Sequence, residues 1–157
     1  NNKRAVALYK KMGFEVEGNY TFKGLTIGSN LSVSKNKIYN WSDNNGKIYK
    51  NTEPSNTPRL LFNNAIQYRH KYFLIGLNGQ YVSSMYLDNT ENNNLTTKKY
   101  YLLNANVGLM YKFLSLTANL NNITNQKYYL PGGVSNNQPA YYTGSLFNFF
   151  INLKVKI

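Results

Sequence analysis

The final segment of the chain, residues 147–157, carries an apolar side chain at every second position. Its even-numbered positions are mostly Asn and Lys, and its odd-numbered positions are all apolar: Phe147, Phe149, Ile151, Leu153, Val155 and Ile157. A period of two predicts a strand with one apolar face and one wet face. A strand of this kind at the end of a chain is typical of an outer-membrane β-barrel, and it also fits the last strand of a soluble sandwich.

Composition excludes several functional classes. The chain has no Cys and a single His, so neither thiolate chemistry nor an imidazole metal cluster is expected, and we predict no metal and no cofactor. The net charge is +12, but Lys and Arg are scattered without the clustered footprint of nucleic-acid binding, so no nucleic-acid partner is expected. No signal peptide and no apolar run of about 18 residues occurs, which excludes a transmembrane helix. The chain opens on Asn1 without Met, as a fragment would.

The same alternation recurs along most of the chain. Apolar and polar residues alternate over residues 14–22, 25–33, 60–68, 73–81, 103–111, 114–120 and 145–157. This pattern predicts an all-β fold, an antiparallel up-and-down meander of about seven long strands. Residues 1–12 instead show helical spacing through Ala5, Leu8, Tyr9 and Met12, which predicts a short helical or irregular N-terminal segment before a β domain over 13–157.

The connections between these strands alternate in length. Lys23-Gly24, His70-Lys71 and Lys112-Phe113 leave room only for tight hairpin turns, whereas residues 39–57, 88–99 and 123–143 form long polar links. Bacterial outer-membrane barrels sort their connections in this way, with short turns on the periplasmic side and long loops outside. The sorting therefore favours a segment of a transmembrane β-barrel, with the chain end on the short-turn side.

The predicted faces agree with a barrel wall in lipid. Wet faces carry Asn, Gln, Ser, Thr and Gly, which suit a hydrated or plugged lumen. Aromatic residues gather near both strand ends, as the two interfaces of a bilayer favour. Those near the short turns are Tyr20, Phe22, Tyr68, Phe73, Tyr111 and Phe113, and those toward the long loops are Tyr39, Trp41, Tyr81, Tyr86, Tyr100, Tyr101 and Tyr142.

Several segments resemble the C-terminal part of a TonB-dependent outer-membrane receptor. Residues 13–20, GFEVEGNY, are similar to that family's recurring "GxELEGxY" strand, and residues 56–59, NTPR, resemble its "TPxH" step. Residues 120–129, LNNITNQKYY, resemble the "NLFNxxY" segment, and residues 153–157 resemble the terminal strand. Two positions depart from the family: Thr124 and Ile157 each replace a usual Phe.

The resemblance implies a bacterial outer-membrane location and a transport function without catalysis. The whole receptor would import a nutrient such as a ferric siderophore, vitamin or glycan. Its partners would be outer-membrane lipid, a plug domain, the TonB complex and the imported ligand. Such barrels have about 22 strands, so a seven-strand segment cannot close one. A small outer-membrane barrel of about eight strands is an alternative, which pairing of strand 14–22 with strand 145–157 would favour.

A second resemblance covers only residues 1–14. The sequence NNKRAVALYKKMGF is similar to the "NxRAxxLYxKxGF" helix-to-strand segment of GCN5-related N-acetyltransferases. In that family a Tyr at the position of Tyr9 can protonate the departing coenzyme A thiolate. An acetyltransferase tail is therefore an alternative function, although we expect Tyr9 to be a surface or packing residue.

Candidate site residues are few. Glu15 and Glu17 share one strand face, where two wet-face carboxylates are commoner than a catalytic pair, so no catalytic residue is assigned. Aromatic residues in the last long link could contact an incoming ligand: Tyr128, Tyr129, Tyr141 and Tyr142.

Overall fold

The structure, a computed structural model, describes residues 9–43 and 45–156, with side chains from residue 12 onward. Within these ranges the regular structure is entirely β. The strands are β1 Tyr9–Phe22, β2 Leu25–Ser42, β3 Ile48–Thr52, β4 Leu60–Arg69, β5 Phe73–Val82, β6 Tyr100–Tyr111, β7 Leu114–Asn121, β8 Tyr129–Ser135, β9 Gln138–Thr143 and β10 Asn148–Val155. In the part of the chain so described, no helix is long and apolar enough to cross a membrane.

Seven long strands form one antiparallel sheet in the order β1-β2-β4-β5-β6-β7-β10. Each pairs with its neighbour in register, which confirms the meander predicted from the alternation. Strand β3 pairs with the far end of β2, and β8 and β9 form a separate hairpin. Among the described residues β1 and β10 are not paired with each other and lie at opposite edges of the sheet. The alternative of a small closed barrel is therefore not supported.

The register aligns apolar side chains in continuous rows across one face. One row crosses all seven strands: Phe22, Leu25, Tyr68, Ile75, Val107, Ala118 and Ile151. A one-residue slip at any pairing would move a strand's apolar set to the other face, so the alternation itself specifies this register. The face remains open: Ile151 is 62% exposed and Leu153 is 67% exposed, values that water would penalise and lipid would not.

The short connections are as tight as the sequence predicts. Lys23 and Gly24 both have positive φ, 44° and 85°, as in the type I′ turn that matches the twist of flanking strands. The β6–β7 turn has Lys112 at φ 48°. The β4–β5 connection contains Tyr72 besides the predicted pair His70-Lys71, because β4 ends at Arg69 and β5 begins at Phe73.

The prediction of a short N-terminal helix is wrong where it can be tested. Residues 9–12 are strand, and Tyr9 to Met12 pair with Ile38 to Lys35 of β2. Met12 continues the period-two series of Phe14 and Val16, and pairing with a long neighbouring strand overrides the weak helical spacing. Residues 1–8 of the predicted segment lie outside the described residues, so the division into residues 1–12 and 13–157 stays a prediction.

The long links carry more structure than polar composition predicts. Strand β2 continues past the sheet to Ser42 and pairs with β3, where the Trp41 and Tyr49 rings lie 5.3 Å apart. Residues 83–99 contain one isolated bridge, Tyr86 with Thr96. Four of the five buried apolar residues of the described chain lie near these links: Ile38, Val82, Leu87 and Leu95. The fifth, Leu74, lies at the start of β5, near the short β4–β5 turn. The compact part of the chain is thus its long-loop end.

Candidate functional site: the loop layer and the wet face

Two of the long links are held together by hydrogen bonds. The Ser55 amide donates to Asn89 Oδ1 at 2.8 Å, and the Asn56 amide donates to the Tyr86 carbonyl at 2.8 Å. The β8–β9 hairpin joins them, since Tyr141 Oη donates to the Thr96 carbonyl at 2.8 Å. We call residues 52–59, 83–99 and 128–143 the loop layer. Its cross-links give it a defined surface, as a binding surface requires.

An ion pair lies at the centre of the loop layer. Arg59 Nε donates to Glu53 Oε2 at 2.8 Å, and Arg59 Nη2 donates to the other carboxylate oxygen. The Glu53 backbone amide donates to Glu91 Oε1 at 2.7 Å. Hydrogen bonding to Glu53 raises the pKa of Arg59 above its usual range. Glu53 is 8% exposed, so its charge depends on this fork of donors for compensation.

A pocket opens beside the ion pair. Its volume is about 230 Å³, and it is lined by Glu53, Arg59, Ser84, Met85, Tyr86, Asn93 and Thr96. Backbone segments on both sides belong to the hydrogen-bonded links, which fix its walls. The lining offers a guanidinium, hydroxyls and an amide, groups that suit a polar oxygen-bearing ligand.

The four predicted ligand-contacting tyrosines separate into three environments. Tyr129 and Tyr141 lie on facing strands with ring centroids 5.8 Å apart. Tyr128 precedes the hairpin and packs against Tyr100 at 4.9 Å. Tyr142 is 68% exposed and, as the neighbour of Tyr141 in a strand, points to the other side of the hairpin. The structure brings Tyr129 and Tyr141 together and leaves the other two apart.

The wet face of the sheet is concave and rich in amides. A depression of about 430 Å³ is lined in large part by polar side chains of β1, β2, β4, β5 and β6: Glu17, Asn19, Asn30, Asn63, Asn78, Gln80 and Asn104. Both predicted wet-face carboxylates are hydrogen-bonded here. Glu15 accepts from Asn30 Nδ2 at 2.7 Å, and Glu17 accepts from Asn19 Nδ2 at 3.1 Å. Each carboxylate pairs with an amide, an arrangement that suits recognition of polar groups more than proton transfer.

Two features of the site escaped the sequence analysis. The Glu53–Arg59 pair joins residues six apart in a link, and no local pattern distinguishes a buried loop carboxylate from a solvated one. Phe150 lies on the wet face opposite Asn119 and is 61% exposed. The sequence could have indicated this position, because Phe150 is the only apolar residue of β10 at an even-numbered position. Within residues 9–43 and 45–156 no group of three or more His, Cys, Asp or Glu side chains could hold a metal ion.

The open-edged sheet, its apolar and wet faces and its sorted connections together define a section of barrel wall. Residues 8–123 match the family model of the TonB dependent receptor-like β-barrel. The chain belongs to this family of bacterial outer-membrane proteins, which confirms the resemblance stated from the sequence and the outer-membrane location. No curated protein matches the chain.

Solved structures share the fold. The unliganded ferric citrate transporter FecA superposes with a TM-score of 0.77 at 19% identity, covering 94% of this chain and 24% of FecA. The ferric yersiniabactin uptake receptor FyuA from Yersinia pestis gives 0.79 at 17% identity, covering 94% and 23%. The copper transporter OprC gives 0.68 at 13% identity, covering 95% and 24%. The chain thus spans about a quarter of the length of these structures.

Proposed function

We propose that this chain is the C-terminal barrel portion of a receptor that imports a scarce nutrient across the outer membrane, with a ferric siderophore as the preferred class of ligand. The observation that carries the proposal is the family match over residues 8–123, together with a sheet whose two edge strands, β1 and β10, pair with no further strand among the described residues. The similar structures include transporters of ferric citrate and ferric yersiniabactin, which supports iron as the cargo.

In this proposal the two faces of the sheet have different tasks. The apolar face contacts lipid, and the amide-rich concave face lines the lumen, where a plug domain would find hydrogen-bond partners for its polar surface. The plug and the inner-membrane TonB complex are the partners that the family implies. The chain itself forms part of the barrel wall and contacts the ligand, and no step of covalent chemistry is assigned to it.

Ligand capture is assigned to the loop layer. Arg59 and the hydroxyls of Ser84, Tyr86 and Thr96 line the pocket beside the Glu53–Arg59 ion pair. Ferric siderophores carry anionic and carbonyl oxygens, which a guanidinium and hydroxyl groups recognise. On the adjoining hairpin, Tyr129, Tyr141 and Tyr142 supply aromatic surface for the ligand. Tyr128 precedes the hairpin and supports that surface by packing on Tyr100.

The pairing of residues 9–12 with β2 argues against the acetyltransferase alternative. Its resemblance requires a helix that ends in a strand near Gly13, but residues 9–12 already pair with β2. A vitamin or glycan as cargo remains the second choice, because the aromatic hairpin would suit sugar rings or a flat ligand. The uptake assay below separates these cargoes.

The test is uptake by cells that produce the complete receptor containing this chain. Cells lacking their own iron receptors are given ferric citrate, a ferric catecholate, a ferric hydroxamate, cobalamin or an oligosaccharide, each radiolabelled. We expect accumulation of one ferric complex that stops when the proton gradient is dissipated. Accumulation of cobalamin or oligosaccharide alone would overturn the iron assignment. Failure to accumulate any probe, with the receptor correctly inserted, would count against import as the function.

A further inference from the structure

Each of the three short turns presents a lysine beside an aromatic ring. Lys23 Nζ lies 5.2 Å from the centroid of Phe22, Lys71 Nζ lies 5.2 Å from Tyr72, and Lys112 Nζ lies 5.4 Å from Tyr111. These distances are within the range of a cation–π contact. The three turns belong to unrelated stretches of sequence, so the arrangement arises independently at each. We call Lys23, Lys71 and Lys112 the lysine rim.

The rings mark the level at which the apolar face ends. Phe22 and Tyr111 are the last outward-facing residues of β1 and β6, and they are 53% and 63% exposed. An ammonium group held over such a ring lies at the edge of the apolar band, where its stem covers apolar surface and its charge reaches the polar layer. In a membrane protein that level is the lipid headgroup region.

The charge at this end of the sheet is of one sign. The short-turn segments, residues 22–25, 69–73, 111–114 and 154–156, contain no carboxylate. Besides the lysine rim they carry Arg69, Lys154 and Lys156. The acidic residues of the described chain lie in the long links or further along β1: Glu15, Glu17, Asp43, Glu53, Asp88 and Glu91. Within the described short-turn segments of this chain, no side-chain carboxylate therefore competes for the rim lysines.

We propose that the lysine rim binds the headgroups of anionic phospholipids in the membrane leaflet that faces the short turns. Successive hairpins place the three turns that carry these lysines about 10 Å apart, since each turn is separated from the next by two strands at about 4.8 Å. The rim thus offers a row of separate phosphate sites along the outer circumference of the wall. Zwitterionic lipids present no net charge to it. The inference rests on the proposed membrane orientation but not on any particular cargo.

The test measures lipid retained by the complete receptor. Receptor is purified in mild detergent, stripped of lipid, and incubated with phosphatidylethanolamine vesicles that contain or lack phosphatidylglycerol. Bound lipid is then counted by native mass spectrometry. The variant is the triple substitution Lys23→Gln, Lys71→Gln and Lys112→Gln. The matched control removes the same charge from exposed lysines at the other end, Lys50→Gln, Lys98→Gln and Lys99→Gln.

We expect the rim variant to retain phosphatidylglycerol at least about fivefold less than the unaltered receptor, because one lysine near an anionic surface changes binding by about that factor. The control and a rim Lys→Arg triple variant should retain it normally. Equal retention by the rim variant and the unaltered receptor would overturn the proposal, as would an equal loss in the control. If the rim variant retains lipid normally but loses uptake, the rim lysines act on a protein partner, which would also overturn the proposal.

Should the triple variant fail to insert, the three single Lys→Gln variants are compared, and each must lower retention for the proposal to stand. Lipid retention and nutrient uptake are separate readouts. A receptor that binds phosphatidylglycerol through the rim but imports none of the offered probes would contradict the proposed function and leave the lipid site intact.

Discussion

The side-chain amide of Asn122 hydrogen-bonds to both backbone groups of Gln126. The Asn122 Oδ1 accepts a hydrogen bond from the Gln126 backbone N–H at 2.9 Å, and the Asn122 Nδ2 donates to the Gln126 backbone carbonyl at 2.9 Å. The same Nδ2 donates to the Ser145 carbonyl at 3.0 Å, which ties the start of the last long link to its end. Asn122 is 3% exposed and has φ 49°, a backbone region that Asn tolerates better than most residues. One side chain therefore closes the whole link beside the β7–β10 pairing.

Substitution Asn122→Ala should destabilise the barrel wall. It leaves backbone groups of Gln126 and Ser145 without partners in a buried position, at a cost of about 2–4 kcal/mol in the free energy of unfolding. The measurement is urea unfolding of the receptor in vesicles. Asn119→Ala is the matched control, because Asn119 lies on the neighbouring wet face and its side chain makes no hydrogen bond within the described residues. Equal losses in both variants would contradict the role assigned to Asn122.

The Glu53–Arg59 pair should couple the two ends of the link before β4. We expect a double-mutant cycle of Glu53→Gln and Arg59→Gln to give a coupling free energy of about 1 kcal/mol, kept small because the Arg59 side chain is 62% exposed and partly screened. Amide hydrogen exchange in residues 52–59 and 83–99 provides the readout. Coupling near zero would show that the Arg59 fork contributes nothing to holding the Glu53 carboxylate in place.

The hairpin tyrosines should differ in their effects. Tyr142→Ala removes an exposed ring and should weaken ligand binding about tenfold without changing stability, which corresponds to about 1.4 kcal/mol. Tyr128→Ala removes the ring that packs on Tyr100 and should lower hairpin stability instead. Binding titrations and thermal unfolding are compared for both variants. Unchanged affinity in Tyr142→Ala would remove that residue from the ligand site.

A charge on the apolar face should be far more damaging than one on the wet face. Leu77 and Asn78 are neighbours in the middle of β5 and point to opposite faces. Leu77→Arg should cost about 2–4 kcal/mol, the range for a charge facing lipid near the bilayer midplane, whereas Asn78→Arg should be nearly neutral. Yield of heat-modifiable, inserted barrel is the measurement. Equal yields would contradict the assignment of faces.

The sequence predicted the strands of the wall because each carries its own alternation. In β6, apolar Ala105, Val107 and Leu109 separate Asn104, Asn106 and Gly108, and only one register hides the former from water. The short turns followed from the same pattern, since two or three residues remained between strands. These features are local, and a single sequence contains them in full.

The loop layer could not be predicted in the same way. Strand β3 forms because β2 extends beyond the sheet and offers an unpaired edge, a partner that is not visible in residues 48–52 themselves. The burial of Glu53 depends on Arg59 and on a link more than 30 residues away. The helix predicted at residues 9–12 does not form for the same reason. Strand β2 supplies a pairing partner that the spacing of apolar residues in this segment does not reveal.

The central claim is that odd-numbered residues of β6 face lipid and even-numbered residues face the aqueous lumen. Because the chain contains no Cys, single cysteines for spin labelling can be placed in it without background from the chain itself: Ala105→Cys, Val107→Cys, Asn104→Cys and Asn106→Cys. Collision accessibility to oxygen and to a water-soluble nickel chelate is measured in the complete receptor in vesicles. We predict oxygen access at 105 and 107 and nickel access at 104 and 106. Loss of this alternation, or its reversal, would contradict the account.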